Sequence, residues 1–168
     1  DELSWVNEGC STLAEYICGY GVTSNLAYYI TDFYELSLVD WEGQLGNYGV
    51  VFLWTLYMYE HYGGQPLIWD IVHEQANGIQ GYNNVLKARH ICKNFDCIFQ
   101  DWCIANYLDD TSFANGIYGY FGLDIPSAAT RGWSIPYSLW YWEYYYPAYF
   151  DTQVTTYPTT GYNYPYGS

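Results

Sequence analysis

Apolar residues in the first part of this chain recur at the spacing of amphipathic helices, and glycines and prolines punctuate the runs. Leu3, Val6, Cys10, Leu13, Ala14 and Ile17 fall on one stripe, with Ser4 near its start and Gly19 and Gly21 as the stop. The spacing predicts a first helix there. Asn25 to Tyr34 reads as a second, short helix with Ser24 as N-cap and Leu26, Tyr29, Ile30 and Phe33 turned inward. Leu36 to Gly46, carrying Asp40, Trp41 and Glu42, is connection. Tyr48 to Tyr62 is apolar almost all round, which predicts a helix through the middle of the core, ended by Gly63-Gly64. Pro66 opens a helix to about Gln75, Asn77-Gly78 breaks it, and Ile79 to Arg89 follows. Phe95 to Leu108 is the last helix, with Ile98, Phe99, Trp102, Ile104 and Ala105 inward, before a glycine-rich loop from Thr111 to Pro126. The fold class expected from this pattern is mainly α, with short connections.

From Arg131 the pattern changes. Trp133 to Tyr149 is crowded with Trp and Tyr around a single charge, Glu143, and Thr155 to Tyr166 is low-complexity. β-Branched and aromatic residues interrupted by prolines predict an extended tail, held against its own domain or a neighbour. The expected division is therefore a helical lobe over 1–130 and a Tyr/Trp-rich segment over 131–168.

Composition narrows the partners. A formal charge of -14 with only four Lys and Arg argues against phosphate backbones and anionic membrane surfaces, so neither nucleic acid nor membrane is expected. Tyr, Asn and Asp interrupt every apolar run before it reaches spanning length. Asp1-Glu2 is the wrong start for a signal peptide and reads as a processed terminus, which fits a secreted, extracellular protein. The length of 168 residues suits one domain.

Several stretches share their order with a known fold. Asn7-Glu8-Gly9 with the later Glu15 comes first, and Asn47-Tyr48-Gly49 leads into an apolar helix. Tyr59-Glu60-His61-Tyr62-Gly63-Gly64, Ala76-Asn77-Gly78-Ile79 and Phe99-Gln100-Asp101-Trp102 through Asp109-Asp110 follow. Over roughly residues 2 to 126 this resembles the second half of the catalytic domain of hyicolysin-type gluzincin metallopeptidases. The resemblance implies the helical lobe of such a domain, with Glu8 at the position of the third zinc ligand and Tyr48 placed to donate to a developing oxyanion. The His-Glu-x-x-His segment that supplies the other two zinc ligands and the water-activating Glu is absent from this sequence. A lone carboxylate does not hold zinc, so the isolated chain is expected to carry no cofactor; zinc is expected only if an upstream His-Glu-x-x-His segment accompanies it.

On residue chemistry alone, Glu8 is a helix carboxylate and Tyr48 is one of 23 tyrosines with structural work to do. His73-Glu74-Gln75-Ala76-Asn77 lacks the second His of a metal helix and reads as a solvated helix end. His61 and His90 have no partners at useful spacing and read as surface or capping residues. Asp109, Asp110 and Asp124 flank the glycine-rich loop, where turn-forming and helix-ending roles are favoured over calcium. Of the five cysteines, Cys92 is expected to bridge with Cys97 or Cys103 if the protein is extracellular, whereas Cys10 and Cys18 lie too far apart along one helix.

Two functions follow as expectations. The first is an extracellular, self-associating structural subunit, filament-forming if its contacts repeat head to tail, built from a catalytically inactive half domain. The second is a processed portion of a secreted zinc endopeptidase acting on protein or peptide substrates, with Glu8 as metal ligand and Tyr48 as catalytic donor.

Overall fold

A computed structural model describes residues 2–32 and 36–125; it is mainly helical, with 66% of the described residues in helix and no strand among them. The tail expected over 131–168 and the end of the second expected helix, Phe33 and Tyr34, lie outside the described residues.

The fold is organised by α3, Leu45–Tyr62. No charged residue occurs between Leu45 and Tyr59, so no face of this helix prefers water, and Val50 through Met58 are buried without interruption. Asn47 Oδ1 accepts the Gln44 N–H at 2.9 Å and starts the helix. Gly63 and Gly64, both at positive φ, end it.

Among the described residues five further helices surround α3: α1 (Ser4–Glu15), α2 (Leu26–Asp32), α4 (Gly64–His73), α5 (Gly78–Ala88) and α6 (Phe95–Leu108). One π-turn, Tyr16–Tyr20, prolongs α1. Two glycines set how closely the first two helices approach. A Cβ at Gly9 of α1 would lie 2.3 Å from Thr55 Oγ1, and one at Gly49 of α3 would lie 2.6 Å from the Asn25 carbonyl at the start of α2. Both crossings are backbone-close because both positions lack a side chain.

The buried face of α1 differs from the expected stripe. Trp5, Val6, Gly9, Thr12 and Leu13 are inside, while Ala14 and Ile17 face solvent and Leu3 is half exposed. The bulk of Trp5 and the close crossing at Gly9 turn the helix by about one position from the aliphatic stripe. Trp5 stacks on Tyr82 of α5 with ring centroids 5.4 Å apart. Glu2 locks this arrangement: its Oε1 accepts N–H bonds from Leu3 (2.6 Å) and Gly78 (2.9 Å), which puts one negative charge at the N-termini of α1 and α5 together.

The last two helices end as their residues dictate. α5 closes in a Schellman turn, with His90 at φ 58° and N–H bonds from His90 to the Lys87 carbonyl and from Ile91 to the Leu86 carbonyl. His90 is thus a capping residue, as expected. The α6 helix spans the expected range, started by Asn94, whose Oδ1 accepts the Cys97 N–H, and stopped by Asp109 in the left-handed region. Phe95, Ile98, Trp102 and Ala105 are its buried face; Ile104, expected inward, is 40% exposed because it falls a third of a turn outside that stripe.

The expected disulfides are not formed: all five cysteines are free thiols. Cys97 and Cys103 are both exposed on α6, and Cys92 lies exposed before it. Cys10 is the partly buried one, and burial beside the charge of Glu2 pushes its thiol up to about 11.

Candidate functional site

Among the described residues a dense polar constellation lies where α3 ends, α6 ends and the glycine-rich loop returns between them. It is built from Tyr57, Glu60 and His61 of α3, Asp109 after α6, and loop residues 116–125. An acidic residue in the last turn of a helix opposes the helix dipole, so Glu60 needs donors from elsewhere. It has them: Oε2 accepts the Phe121 N–H and Oε1 the Gly122 N–H, each at 2.8 Å. Asp109 does the same on the other side, taking the Tyr120 N–H at 3.0 Å and the Ile125 N–H at 2.7 Å. Four loop amides are therefore held by two carboxylates.

Side-chain donors complete the clamp by taking the loop carbonyls. Tyr57 Oη donates to Ile117 O at 2.9 Å, Tyr16 Oη donates to Gly122 O at 2.5 Å, and His61 Nε2 lies 2.9 Å from Gly119 O. A carbonyl only accepts, so His61 carries its proton on Nε2. Its ring sits between Tyr57, at 4.5 Å between centroids, and Phe121, at 5.0 Å. His61 was expected at the surface or as a cap; it is a half-buried tertiary tie instead. Behind it, Tyr120 donates to Asn106 Oδ1 at 2.5 Å and accepts from Trp102 Nε1 at 3.0 Å.

Burial sets the electrostatics of the clamp. It raises the carboxyls of both Glu60 and Asp109; the loop N–H bonds oppose the rise, and the Asp109 charge adds to it at Glu60. Burial also lowers His61, with the bond to Gly119 opposing, so its neutral form is favoured. Each carboxylate serves two loop amides, and the imidazole serves a loop carbonyl. Asp110 is used likewise, with Oδ1 accepting from Ser112 N and Oγ at 2.8 and 2.6 Å. Asp109 and Asp110 thus fill the helix-ending and turn-forming roles expected of them.

The residues singled out for chemistry lie elsewhere. Glu8 is half-exposed on α1, beside the Gly9 crossing. Tyr48, near the start of α3, is partly buried with its ring edge-on to Trp41 at 5.0 Å. Among the described residues no group of three or more His, Cys, Asp or Glu is arranged to hold a metal. His73 is the exposed end of α4, stacked on Trp69 at 4.0 Å, and Glu74 accepts from Ala76 N and Asn84 Nδ2. That segment is a solvated helix end. No helix among the described residues is long and apolar enough to cross a membrane.

No protein-family model, curated protein or solved structure matches this chain.

The clamp makes a testable statement about pH. Replacing Glu60 by Ala orphans the Phe121 and Gly122 amides, at about 1–2 kcal/mol because water reaches this edge. Glu60→Gln keeps an acceptor and costs less. Because the folded carboxyl titrates above its unfolded value, the ionised form weakens the fold relative to the protonated one. Its favourable contribution is full below the unfolded value of about 4.3 and is lost as pH rises through the folded value. Wild type should therefore gain on Glu60→Gln as pH falls from about 7 to about 4 in paired thermal melts. A difference between the two that stays flat across that window would show that Glu60 is not desolvated.

Proposed function

We propose that this chain is an extracellular, self-associating structural subunit, built on the helical lobe of a gluzincin-like metallopeptidase domain and without catalytic power of its own. The observation that carries the reading is the outward face of α4. Trp69 and Val72, one turn apart on that helix, are 62% and 56% exposed. An exposed Trp is among the residues that most often anchor a protein contact, and Val72 extends the apolar surface beside it. The polar groups of the molecule give further support, since Glu60, Asp109 and His61 are spent on holding their own backbone.

Association through this face has to overcome the repulsion between copies that each carry a formal charge of -14. Salt should therefore promote assembly, the opposite of a contact held by ion pairs. Sedimentation velocity of the full chain tests both points. Adding salt should raise the sedimentation coefficient, and Trp69→Ser with Val72→Ser should weaken self-association on the order of tenfold or more. A chain that stays monomeric at every concentration and salt level would remove the proposal.

The endopeptidase reading rests on Glu8. Its carboxylate has no hydrogen bond among the described residues, which leaves it available to a ligand set brought by another segment. Zinc bound stoichiometrically to purified material, with peptidase activity lost in Glu8→Gln and reduced in Tyr48→Phe, would establish that reading over the structural one.

A further inference from the structure

The chain has eighteen Asp and Glu but only four Lys and Arg, and three of those four, Lys87, Arg89 and Lys93, fall together at the corner between α5 and α6. The Schellman turn at His90 reverses the chain there and leaves an open cavity of about 520 Å³, lined by Asn83, Lys87, His90, Ile91, Lys93 and Asn94 among others. Arg89 is drawn away from it by Asp70 of α4, at 2.7 Å.

The groups facing this cavity are mostly donors, and the backbone explains why. Asn83 Oδ1 accepts the Phe95 N–H at 2.8 Å, and Asn94 Oδ1 accepts the Cys97 N–H at 3.0 Å. Each carboxamide oxygen is engaged in starting α6, while each NH2 makes no hydrogen bond among the described residues and remains an unused donor. Lys87 is exposed, with no ion pair among the described residues. Lys93 is paired with Asp101 of α6, yet its side chain remains 43% exposed. The negative charges of α6 near this corner in sequence are Asp96, in its first turn, and Asp101, which pairs with Lys93.

We propose that this corner is a binding site for a small organic oxyanion, a phosphate or carboxylate group held by Lys87, Lys93 and the two carboxamide NH2 groups, with its carbon body resting on Ile91. The groove is open to solvent, and its volume of about 520 Å³ leaves room for an oxyanion together with a small carbon body. The surrounding charge of -14 repels anions at long range, so recognition is short-range. This site is separate from the α4 face and from Glu8, and does not depend on either role proposed for the chain.

The test is an amide-resonance titration of the isotope-labelled full chain with inorganic phosphate, citrate or chloride at matched ionic strength. Phosphate, citrate or both should shift the amides of 83–94 saturably, and which of them saturates identifies the headgroup. Chloride should not saturate. Lys87→Gln, at an exposed position, should weaken the response about fivefold or more, while Lys87→Arg keeps it within about twofold. Asp101→Asn, which frees Lys93, should tighten it. Shifts that never saturate, that chloride reproduces, or that Lys87→Gln leaves unchanged overturn the proposal.

Discussion

Trp54→Ala is expected to destabilise the protein by about 3–5 kcal/mol, a large share of the roughly 5–15 kcal/mol that holds a domain of this kind folded. Trp54 is fully buried at the middle of α3. Its ring lies 4.8 Å from Phe95, 5.6 Å edge-on from Trp102 and 6.3 Å from Phe99, all on α6, and 5.7 Å from Tyr82 on α5. One side chain thus carries much of the contact between the central helix and the last two. Removing it leaves a void whose walls are rigid rings, which collapse poorly, so the cost belongs at the upper end of the range for aromatic truncation. Trp54→Phe keeps most of the edge-to-face contacts and should cost clearly less. Chemical denaturation gives the comparison directly, and near-ultraviolet circular dichroism reports whether the cluster stays ordered. An alanine variant no less stable than the phenylalanine variant would mean that the cluster does not bind α6 to the core.

That α3 runs through the core was legible because nothing in Leu45 to Tyr59 is charged, and a helix without a polar face has only the interior to occupy. The range of α6 was legible because its apolar run from Phe95 to Leu108 is followed by Asp109, a helix-ending residue that acts within one turn. The face of α1 was not. Aliphatic positions define one stripe, but the residue that decides the packing is Trp5, and the position that lets the helix close on α3 is Gly9, which no hydrophobicity pattern registers. The clamp around Glu60 was missed for a different reason. Its bonds join residues 61 and 62 positions apart, so no spacing rule reaches them. A signal existed nonetheless: Glu60 and His61 are polar residues at the end of an otherwise apolar helix, with the carboxylate on the unfavourable side of the helix dipole. Such a residue calls for distant donors, and the glycine-rich segment with Gly116, Gly119 and Gly122 was where free amides could be expected. Glu8 and Tyr48 were chosen by resemblance, which fixes order along the chain and leaves spatial company undetermined.

Gly9→Val tests the crossing of α1 and α3, and with it the placement of Glu8 on the neighbouring position. Glycine inside a helix costs about 1 kcal/mol relative to alanine, so a side chain here would help an isolated α1. The structure reverses that sign. Even a Cβ at this position would lie 2.3 Å from Thr55 Oγ1 and 3.0 Å from the Val51 carbonyl. Thr55 cannot turn aside freely, because its hydroxyl is buried and donates to that same carbonyl at 2.7 Å. Valine adds two methyls to the clash and should force the helices apart, at about 2–3 kcal/mol net of the propensity gain. Removing the obstacle identifies the cause: Thr55→Ala in the background of Gly9→Ala deletes the hydroxyl that the new methyl strikes and should recover about 1 kcal/mol or more through direct coupling of the two sites. Thermal unfolding of the four members of that cycle gives the coupling term. Additive effects, or a Gly9→Ala protein more stable than wild type, would show that α1 does not rest on α3 at backbone distance and that the position of Glu8 is not fixed by this contact.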